Sequence, residues 1–376
     1  MTRFYVDVHV IQTVPPSNVN RDDTGSPKTA VYGGVRRARV SSQAWKRATR
    51  TDFESTLDST ELGVRSKRLV EIVADEIRGL APEVEPDAAR TAAKEVLGKG
   101  GITVKAPKGG GADEAGYLVF LSRLQISALA ELALEGLRGD GVAAIERKAV
   151  QAVLKGKNSI DLALFGRMVA DVTDLNVDAA AQVAHAISVH AVETEYDYFT
   201  AVDDHKQRDA EEDAGAGMIG TVEFNSSTLY RYATVNVEGL LANLGDEAAT
   251  RRAVEAFVRS FVRSLPTGKQ NTFANRTLPD AVVVVVREDQ PVNWVGAFET
   301  PVPTAGEGGR VAESVVRLVA HAHDLASAFG TGSSTAWVSG VGPRTAPLDE
   351  LGARVPFDEL VVQLGDHVAQ RLGVPA

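Results

Sequence analysis

The acidic pair Asp22-Asp23 is the sharpest candidate for catalysis in this sequence. Adjacent carboxylates in an exposed loop could bind a hard cation such as Mg²⁺ and activate water for attack on RNA. Their commoner role is structural, because an Asp caps local amides in a turn and can pair with a neighbour such as Arg21. No second acid, base or ligand stands near the pair along the chain, so we predict a protein that is not an enzyme and needs no cofactor.

The histidines do not form a convincing metal site. The sequence has seven of them. His185 and His190 stand five residues apart, whereas His321 and His323 stand two apart and would diverge on a helix. We therefore predict no metal site.

Residues 266–271 look like a phosphate loop but lack its essential residues. Arg263 occupies the position of the first glycine, and Gln270 replaces the Ser or Thr that would hold magnesium. The segment is therefore not an NTPase site. With Gly268 and Lys269 it could contact a phosphate or a ribose, or it could be a plain turn, and the sequence leaves both roles open.

The basic residues are concentrated near the N-terminus, although the net charge of the chain is −10. Between Lys28 and Arg50 there are seven Lys and Arg residues and no acidic one. Such a segment is typical of a local anion-binding surface on an acidic protein. Gly33 and Gly34 would let the backbone approach a ligand, and Arg37 and Arg39 share one face of an extended run.

The basic segment continues into a predicted helix that begins after Ser41-Ser42. Gln43, Lys46 and Arg50 recur at i, i+3 and i+7 and therefore share a helix face. A phosphate backbone could be followed by these side chains without any base being read. Trp45 could stack on a base, but its position between Ala44 and Ala48 favours the core.

The elements that must position these residues follow from periodicity. Residues 4–13 alternate as a half-buried strand, and the polar run 15–28 predicts a long loop. The glycine-rich run 98–116, which contains Lys99, Lys105 and Lys108, predicts a mobile loop. The other predicted elements are helices over 43–57, 69–80, 86–97, 126–137, 142–154, 247–265, 311–328 and 356–372, a hairpin with arms 196–202 and 220–224, and strands over 229–237 and 281–286. This order predicts an α+β fold with a ferredoxin-like core.

Composition excludes several other classes of protein. The chain has no cysteine, so neither disulfides nor thiolate metal sites contribute. The N-terminal run carries charges among its apolar residues, and no stretch reaches about 18 apolar residues. We expect a cytoplasmic protein with no membrane partner.

Several segments together resemble a known family, the CasC (Cas seven-type) backbone subunits of type I-E Cascade, a CRISPR surveillance complex. The resemblance rests on their shared order from residue 4 to about 285. The segments are Asn20-Arg21-Asp22-Asp23, Lys28, Tyr32 to Arg39, Ser41-Ser42-Gln43, Lys46-Arg47, Leu164 to Met168, Tyr196 to Asp204, Tyr230 to Ala233 and Gly268 to Asn271.

The resemblance implies a hand-like subunit. It implies an RRM-like palm with C-terminal helices over 1–60 and 225–376, helical fingers over 61–192 and a thumb hairpin over 193–224. It further implies that Lys28, Ser41, Gln43, Lys46 and Arg50 contact guide phosphates, with Arg21 and Lys269 as weaker candidates. Arg50 departs from the Lys expected in some relatives, but it keeps the charge.

The resemblance also implies how a nucleotide is displaced. Met168 from the fingers and Phe199 from the thumb would flank it, with Tyr198 and Val202 beside them, because aromatic rings and thioethers pack on any base. A core position for Met168 beside Phe165 stays open. The acidic run 203–213 sits awkwardly beside RNA, so we expect it to point away from the RNA or to meet a basic surface.

The implied function is that of a non-catalytic scaffold in antiviral defence. Copies would assemble head to tail along the CRISPR guide RNA, whose exposed bases pair with target DNA. Further implied partners are the other Cascade subunits and a recruited effector nuclease-helicase. Two alternatives remain: a type III-like RNA-cleaving backbone subunit that uses Asp22 or Asp23 with a metal, and a general RNA-binding protein that acts alone.

Overall fold

The computed structural model describes residues 3–106, 113–169, 172–201, 218–303, 308–330 and 335–373. Its strands are β1 Tyr5–Ser17, β2 Thr29–Tyr32, β3 Val35–Val40, β4 Gly63–Ser66, β5 Val104–Lys105, β6 Glu114–Ala115, β7 Val119–Ser122, β8 Ala181–Val183, β9 Ala186–Ser188, β10 Glu195–Ala201, β11 Met218–Asn236, β12 Ala281–Arg287, β13 Thr335–Gly340 and β14 Ala353–Arg354. Its helices are α1 Ser42–Asp52, α2 Leu69–Leu80, α3 Pro86–Lys99, α4 Arg123–Arg138, α5 Arg147–Lys155, α6 Ile160–Phe165, α7 Val237–Leu244, α8 Glu247–Arg263, α9 Gln270–Phe273, α10 Gly309–Phe329 and α11 Phe357–Leu372. The predicted α+β class is confirmed.

The chain divides into two compact units. The first, the sheet unit, comprises Met1–Thr51, Val183–Thr234 and Val258–Gln363. The second, the helical unit, comprises Asp52–Gln182, Val235–Phe257 and Leu364–Ala376. The predicted division into palm, fingers and thumb stays a prediction.

The sheet unit is built on a large, mostly antiparallel sheet. Its strand order is β14-β13-β12-β1-β11-β9-β3-β2, and β10 pairs with the outer part of β11. The hairpin of β2 and β3 turns at Gly33-Gly34, whose positive φ angles of 58° and 77° fit a two-residue turn. The sequence predicted an extended run here but missed the turn.

Strand β1 is buried on both faces, which corrects the prediction of a half-buried strand. Val6 and Val8 lie in the core as expected, but Asp7 and His9 are also buried. Asp7 accepts hydrogen bonds from Arg287 at 2.7 Å and from the Tyr232 hydroxyl at 2.9 Å. These partners satisfy its carboxylate, so a polar residue occupies a core position without being solvent-exposed.

The helical unit has a core of its own. Its apolar cluster joins α2, α3, α4 and α5 through residues such as Val73, Leu97, Leu129 and Val150. Helix α4 begins in a capping box, because the side chains and backbone amides of Ser122 and Gln125 hydrogen-bond reciprocally. Four helices are present between residues 69 and 155 as predicted, with α3 extending to Lys99 into the predicted loop. The helix predicted from Val142 begins only at Arg147, because Val142–Ala144 forms a separate 3-10 turn.

The predicted hairpin and the later elements are also present. The arm and the strand predicted over 220–224 and 229–237 form one continuous strand, β11, and helix α1 ends at Asp52 rather than near Leu57. Lys108 and Val202 lie outside the described residues. In the described part, no helix is long and apolar enough to span a membrane.

Candidate nucleic-acid interface

The loop between β1 and β2 is held in place by amide side chains. Asn18 Nδ2 donates to the carbonyl oxygens of Gly25 and Glu223, both at 2.9 Å. The Lys28 amide donates to the Asn20 carbonyl at 2.9 Å. The loop therefore closes on itself, and Arg21 and Lys28 leave it from its two paired ends.

Asp22 serves as a turn residue in this loop. Its Oδ1 atom accepts hydrogen bonds from the Thr24 amide at 2.9 Å, the Thr24 hydroxyl at 2.7 Å and the Ser26 amide at 3.0 Å. These bonds, led by that from the Thr24 hydroxyl, hold the pKa of Asp22 below its usual value. The structural role of Asp22 is thereby observed, and among the described residues no group of three or more His, Cys, Asp or Glu could hold a metal.

The same loop positions the start of helix α1. Asn20 Oδ1 accepts a hydrogen bond from the Ser41 amide at 2.8 Å. Ser41 is nearly fully buried, and its Oγ accepts from the Ala44 amide at 3.3 Å, as an N-cap residue does. Arg21, Lys28 and Ser41 are therefore brought together, with Ser41 facing the helix rather than solvent.

Helix α1 is anchored by a buried stack. The guanidinium of Arg231 lies 3.7 Å from the centre of the Trp45 ring and donates to Gln12 Oε1 at 2.6 Å. This confirms the core position predicted for Trp45. Burial lowers the pKa of Arg231 to about 9, so it stays charged at neutral pH.

The opposite side of α1 carries the predicted contact residues. Gln43 and Arg47 are exposed, and Lys46 and Arg50 are partly exposed. Partial burial lowers the pKa of Lys46, which makes a counter-charge beside it favourable. The helix therefore presents an amide and three basic side chains on a fixed scaffold.

Lys269 lies against the β1–β2 loop. A Cβ atom added to Gly268 would stand 2.3 Å from the Val19 carbonyl oxygen, so only glycine permits this approach. Lys269 itself has φ 50°, a left-handed conformation that is rare outside glycine. Helix α9 follows, and its Phe273 packs on Phe224 of β11 at 5.7 Å between ring centres.

Seven cations of these segments have no carboxylate partner within the described part of the chain. Across the described residues, no ion pair involves the seven side chains that we call the unpaired cations: Arg21, Lys28, Arg36, Arg39, Lys46, Arg47 and Lys269. Elsewhere in the sheet unit, Arg259 and Arg263 both pair with Asp358. The unpaired cations thus come from the β1–β2 loop, β3, α1 and the turn before α9, which form one framework.

Arg37 is excluded from this set, contrary to the expectation that it shares a binding face with Arg39. It is fully buried, and its guanidinium donates to the carbonyls of Ser188 at 3.0 Å and Phe298 at 2.8 Å. Gly33 likewise approaches protein rather than ligand, because an added Cβ would stand 1.7 Å from the Glu299 carbonyl oxygen. Both residues fix the β2–β3 hairpin.

The predicted thumb aromatics lie on opposite faces of the β10–β11 hairpin. Tyr198 pairs with Thr221 and is 63% exposed, whereas the neighbouring Phe199 pairs with Gly220 and is 39% exposed. The ring of Phe199 covers Gly220, where an added Cβ would stand 2.5 Å from it. Phe199 therefore offers a partly supported ring, and Tyr198 projects from the other face.

Met168 projects from an anchored turn of the helical unit. The neighbouring Arg167 is buried and donates to the carbonyls of Leu154 and Leu175, both at 2.7 Å. Met168 is 84% exposed, so a core position beside Phe165 is wrong. The thioether is available to a partner of this unit.

The comparisons with known proteins decide the family. The model of the CT1975-like protein family matches residues 6–363. This chain belongs to the CT1975-like family. No curated protein sequence matches it.

Two solved structures extend the match to the fold of this CT1975-like chain. One, titled "CRISPR RNA-guided surveillance complex, pre-nicking", has a TM-score of 0.86 and 36% identity, covering 97% of this chain and 100% of that chain. Another, titled "CRISPR RNA-guided surveillance complex", has a TM-score of 0.75 and 32% identity, covering 96% and 99%. The chain is therefore similar over its length to components of such complexes.

The candidate interface of the CT1975-like chain includes two residues that were not among the predicted RNA contacts. His185 lies beside α1, where its Nδ1 atom is 3.3 Å from the Ser42 amide and 3.4 Å from Arg39 Nη1. Arg36 also belongs to the unpaired cations. Arg36 belongs to the basic segment from Lys28 to Arg50, whereas His185 carries no sequence signal of its own, because its position beside Arg39 depends on the sheet pairing of β3 with β9.

Proposed function

We propose that this CT1975-like chain is a Cas seven-type backbone subunit of a CRISPR RNA-guided surveillance complex. It binds the guide RNA along its sugar-phosphate backbone and assembles with further copies of itself and with other subunits. The observation that carries this proposal is the set of unpaired cations. Single-stranded RNA supplies the missing negative charge at regular spacing.

The side-chain chemistry of the unpaired cations favours binding to the RNA backbone over recognition of bases. Lys28, Lys46 and Lys269 are point charges that attract phosphates without selecting a base. Gln43 and Arg50, also expected from the resemblance, add an amide and a further charge on α1. The buried Ser41 instead caps this helix and positions both side chains. A guide held in this way keeps its base edges available for pairing with target DNA.

We further propose that the complex is of type I-E, that the fold of the sheet unit is RRM-like, and that the subunit is non-catalytic. The shared order of motifs from Asn20 to Asn271 supports the subtype. The turn role of Asp22 supports a scaffold over an RNA-cleaving subunit. Met168, Tyr198, Phe199 and Val202 are proposed to pack against a displaced nucleotide, which the exposure of the first three supports.

Native mass spectrometry of the complex tests the proposal. The chain is co-expressed with a guide RNA and type I-E companion subunits, as wild type and as Lys28→Glu plus Lys46→Glu. We expect several copies on one RNA for wild type and loss of assembly for the variant. The control Lys67→Glu plus Lys148→Glu makes the same charge change at exposed lysines of the helical unit and should assemble.

Three outcomes would contradict the proposal. A single copy per RNA would refute the role as a repeating backbone subunit. Unchanged assembly of the Lys28 and Lys46 variant would show that the RNA binds elsewhere on the protein. Magnesium-dependent cutting of complementary RNA by the complex, lost in Asp22→Asn, would support the cleaving alternative. Equal thermal stability of both double variants ensures that loss of assembly reflects loss of RNA binding. If Lys46→Glu prevents folding, the variant Lys28→Gln plus Lys46→Gln replaces it.

A further inference from the structure

His185 lies beside two cations, Arg39 and Lys28, that come from other segments of the sheet unit. Arg39 comes from β3, Lys28 precedes β2, and His185 lies between β8 and β9. The imidazole Nδ1 is 3.4 Å from Arg39 Nη1 and accepts from the Ser42 amide at 3.3 Å. No ion pair brings a carboxylate to this cluster within the described part of the chain.

The hydrogen bonds fix the protonation state of His185 in the unbound protein. Its Nδ1 atom must be unprotonated to accept from Ser42, so the neutral ring carries its proton on Nε2. A second proton on Nδ1 would face both the Ser42 amide and the Arg39 guanidinium. Partial burial, followed by the charges of Arg39 and Lys28, accordingly lowers the pKa of His185.

Both contacts of Nδ1 are weak. Distances of 3.3 Å and 3.4 Å exceed the usual N–H hydrogen-bond range. A phosphate oxygen is a charged acceptor and makes shorter, stronger bonds with the same donors. Exchange of the imidazole for phosphate would therefore be favourable, and it would leave Nδ1 available to take up a proton.

We propose that Lys28, Arg39 and His185 form a binding site for one phosphodiester of the RNA, and that His185 binds it as an imidazolium. The phosphate oxygen replaces Nδ1 as the acceptor for the Ser42 amide and for Arg39. His185 then takes one proton from solvent and donates it in a hydrogen bond to the phosphate. RNA binding and proton uptake at this site are consequently coupled.

The coupling has a defined sign. The phosphate neutralises the two charges that lower the pKa of His185, so this pKa rises on binding. By linkage, the affinity for RNA increases as the pH falls through the interval between the two pKa values. Each unit of that interval corresponds to about a tenfold change in Kd. We expect Kd for RNA to be about threefold to tenfold lower at pH 6 than at pH 8.

Fluorescence anisotropy with single-stranded polyuridine tests this inference, which rests on the proposed function. Kd is measured at pH 6, 7 and 8 at constant ionic strength for wild type, His185→Asn and the control His323→Asn. His323 is an exposed histidine of helix α10. The amide side chain in His185→Asn keeps an acceptor for Ser42 but cannot be protonated, so we expect the pH dependence to disappear in that variant and to persist in the control.

The outcomes separate the inference from the proposed function. A pH dependence that is identical in His185→Asn and wild type would overturn the inference while leaving RNA binding intact. An absence of RNA binding by all three proteins at every pH would instead overturn the proposed function. Calorimetry in buffers of different ionisation enthalpy counts the protons directly. The expected change in Kd corresponds to an uptake of about 0.2 to 0.5 proton per bound protein around pH 7 for wild type, and the variant should take up fewer.

Discussion

The salt dependence of RNA binding gives the most direct measure of the interface. Lys28, Lys46 and Lys269 have no ion pair in the described part of the chain, so each can neutralise one phosphate. Removing one such contact on single-stranded RNA lowers the slope of log K against log salt by about 0.7. Replacement of all three lysines by Gln should therefore lower the slope by about 2.

This change of slope has a large effect on affinity. Between 50 mM and 200 mM salt, a slope lower by about 2 corresponds to a roughly 16-fold smaller loss of binding. Fluorescence anisotropy with labelled polyuridine across this range measures the slope directly. The triple variant should bind more weakly than wild type at 50 mM salt and should approach it as salt rises.

A matched control comes from lysines that already have protein partners. Lys94 pairs with Asp113 at 2.7 Å, Lys155 pairs with Asp174 at 3.3 Å, and Lys99 donates to two backbone carbonyls. Replacing these three by Gln removes the same charge and should leave the slope within about 0.3 of wild type. Equal slopes for both triple variants would refute the assignment of the RNA to the unpaired cations.

Three further predictions concern the scaffold. Gly268→Ala places a Cβ atom 2.3 Å from the Val19 carbonyl oxygen, so the loop must move Lys269 away; RNA affinity should fall as in Lys269→Gln with an unchanged circular dichroism spectrum. Arg231→Met removes the donor to the buried Gln12 Oε1 and the cation that stacks on Trp45, so it should lower the free energy of unfolding by about 1–3 kcal/mol, measured with urea. His190 is buried and its pKa is lowered to about 4 from 6.5, mainly by burial, so the unfolded chain binds the proton more tightly. Stability is therefore full above pH 6.5 and falls by up to about 3 kcal/mol toward pH 4, and His190→Gln should lessen that fall in urea titrations.

Sequence periodicity predicted the elements well where one period extended over many residues. Helices such as α2 and α11 and the strand β12 show a repeated apolar pattern that packing then preserves. The short strands β9, β13 and β14 escaped prediction, because each gains its stability from neighbours that are distant along the chain. Strand β9, for example, pairs with β3, which is nearly 150 residues away along the chain.

The candidate site was only partly predictable for the same reason. A cluster of Lys and Arg in the sequence indicates an anion-binding surface, but it does not distinguish Arg37 from Arg39. That distinction depends on the Ser188 and Phe298 carbonyls, which bind Arg37 and withdraw it from solvent. His185 gives no local signal, because its role arises only when sheet pairing brings it to Arg39 and Ser42.

The pattern of ion pairing reconciles an acidic chain with an RNA partner. The net charge of −10 opposes a polyanion at long range, but that repulsion is screened beyond about 10 Å in 0.1 M salt. At contact distance the local ion pairs dominate, and Lys46 and Arg47 of helix α1 have no such pair among the described residues. The buried Arg37 and Arg231 add two more charges that are bound by neutral acceptors rather than by carboxylates. Neither charge has a carboxylate partner among the described residues, so phosphates of the proposed RNA partner would neutralise charge that the protein itself leaves unbalanced.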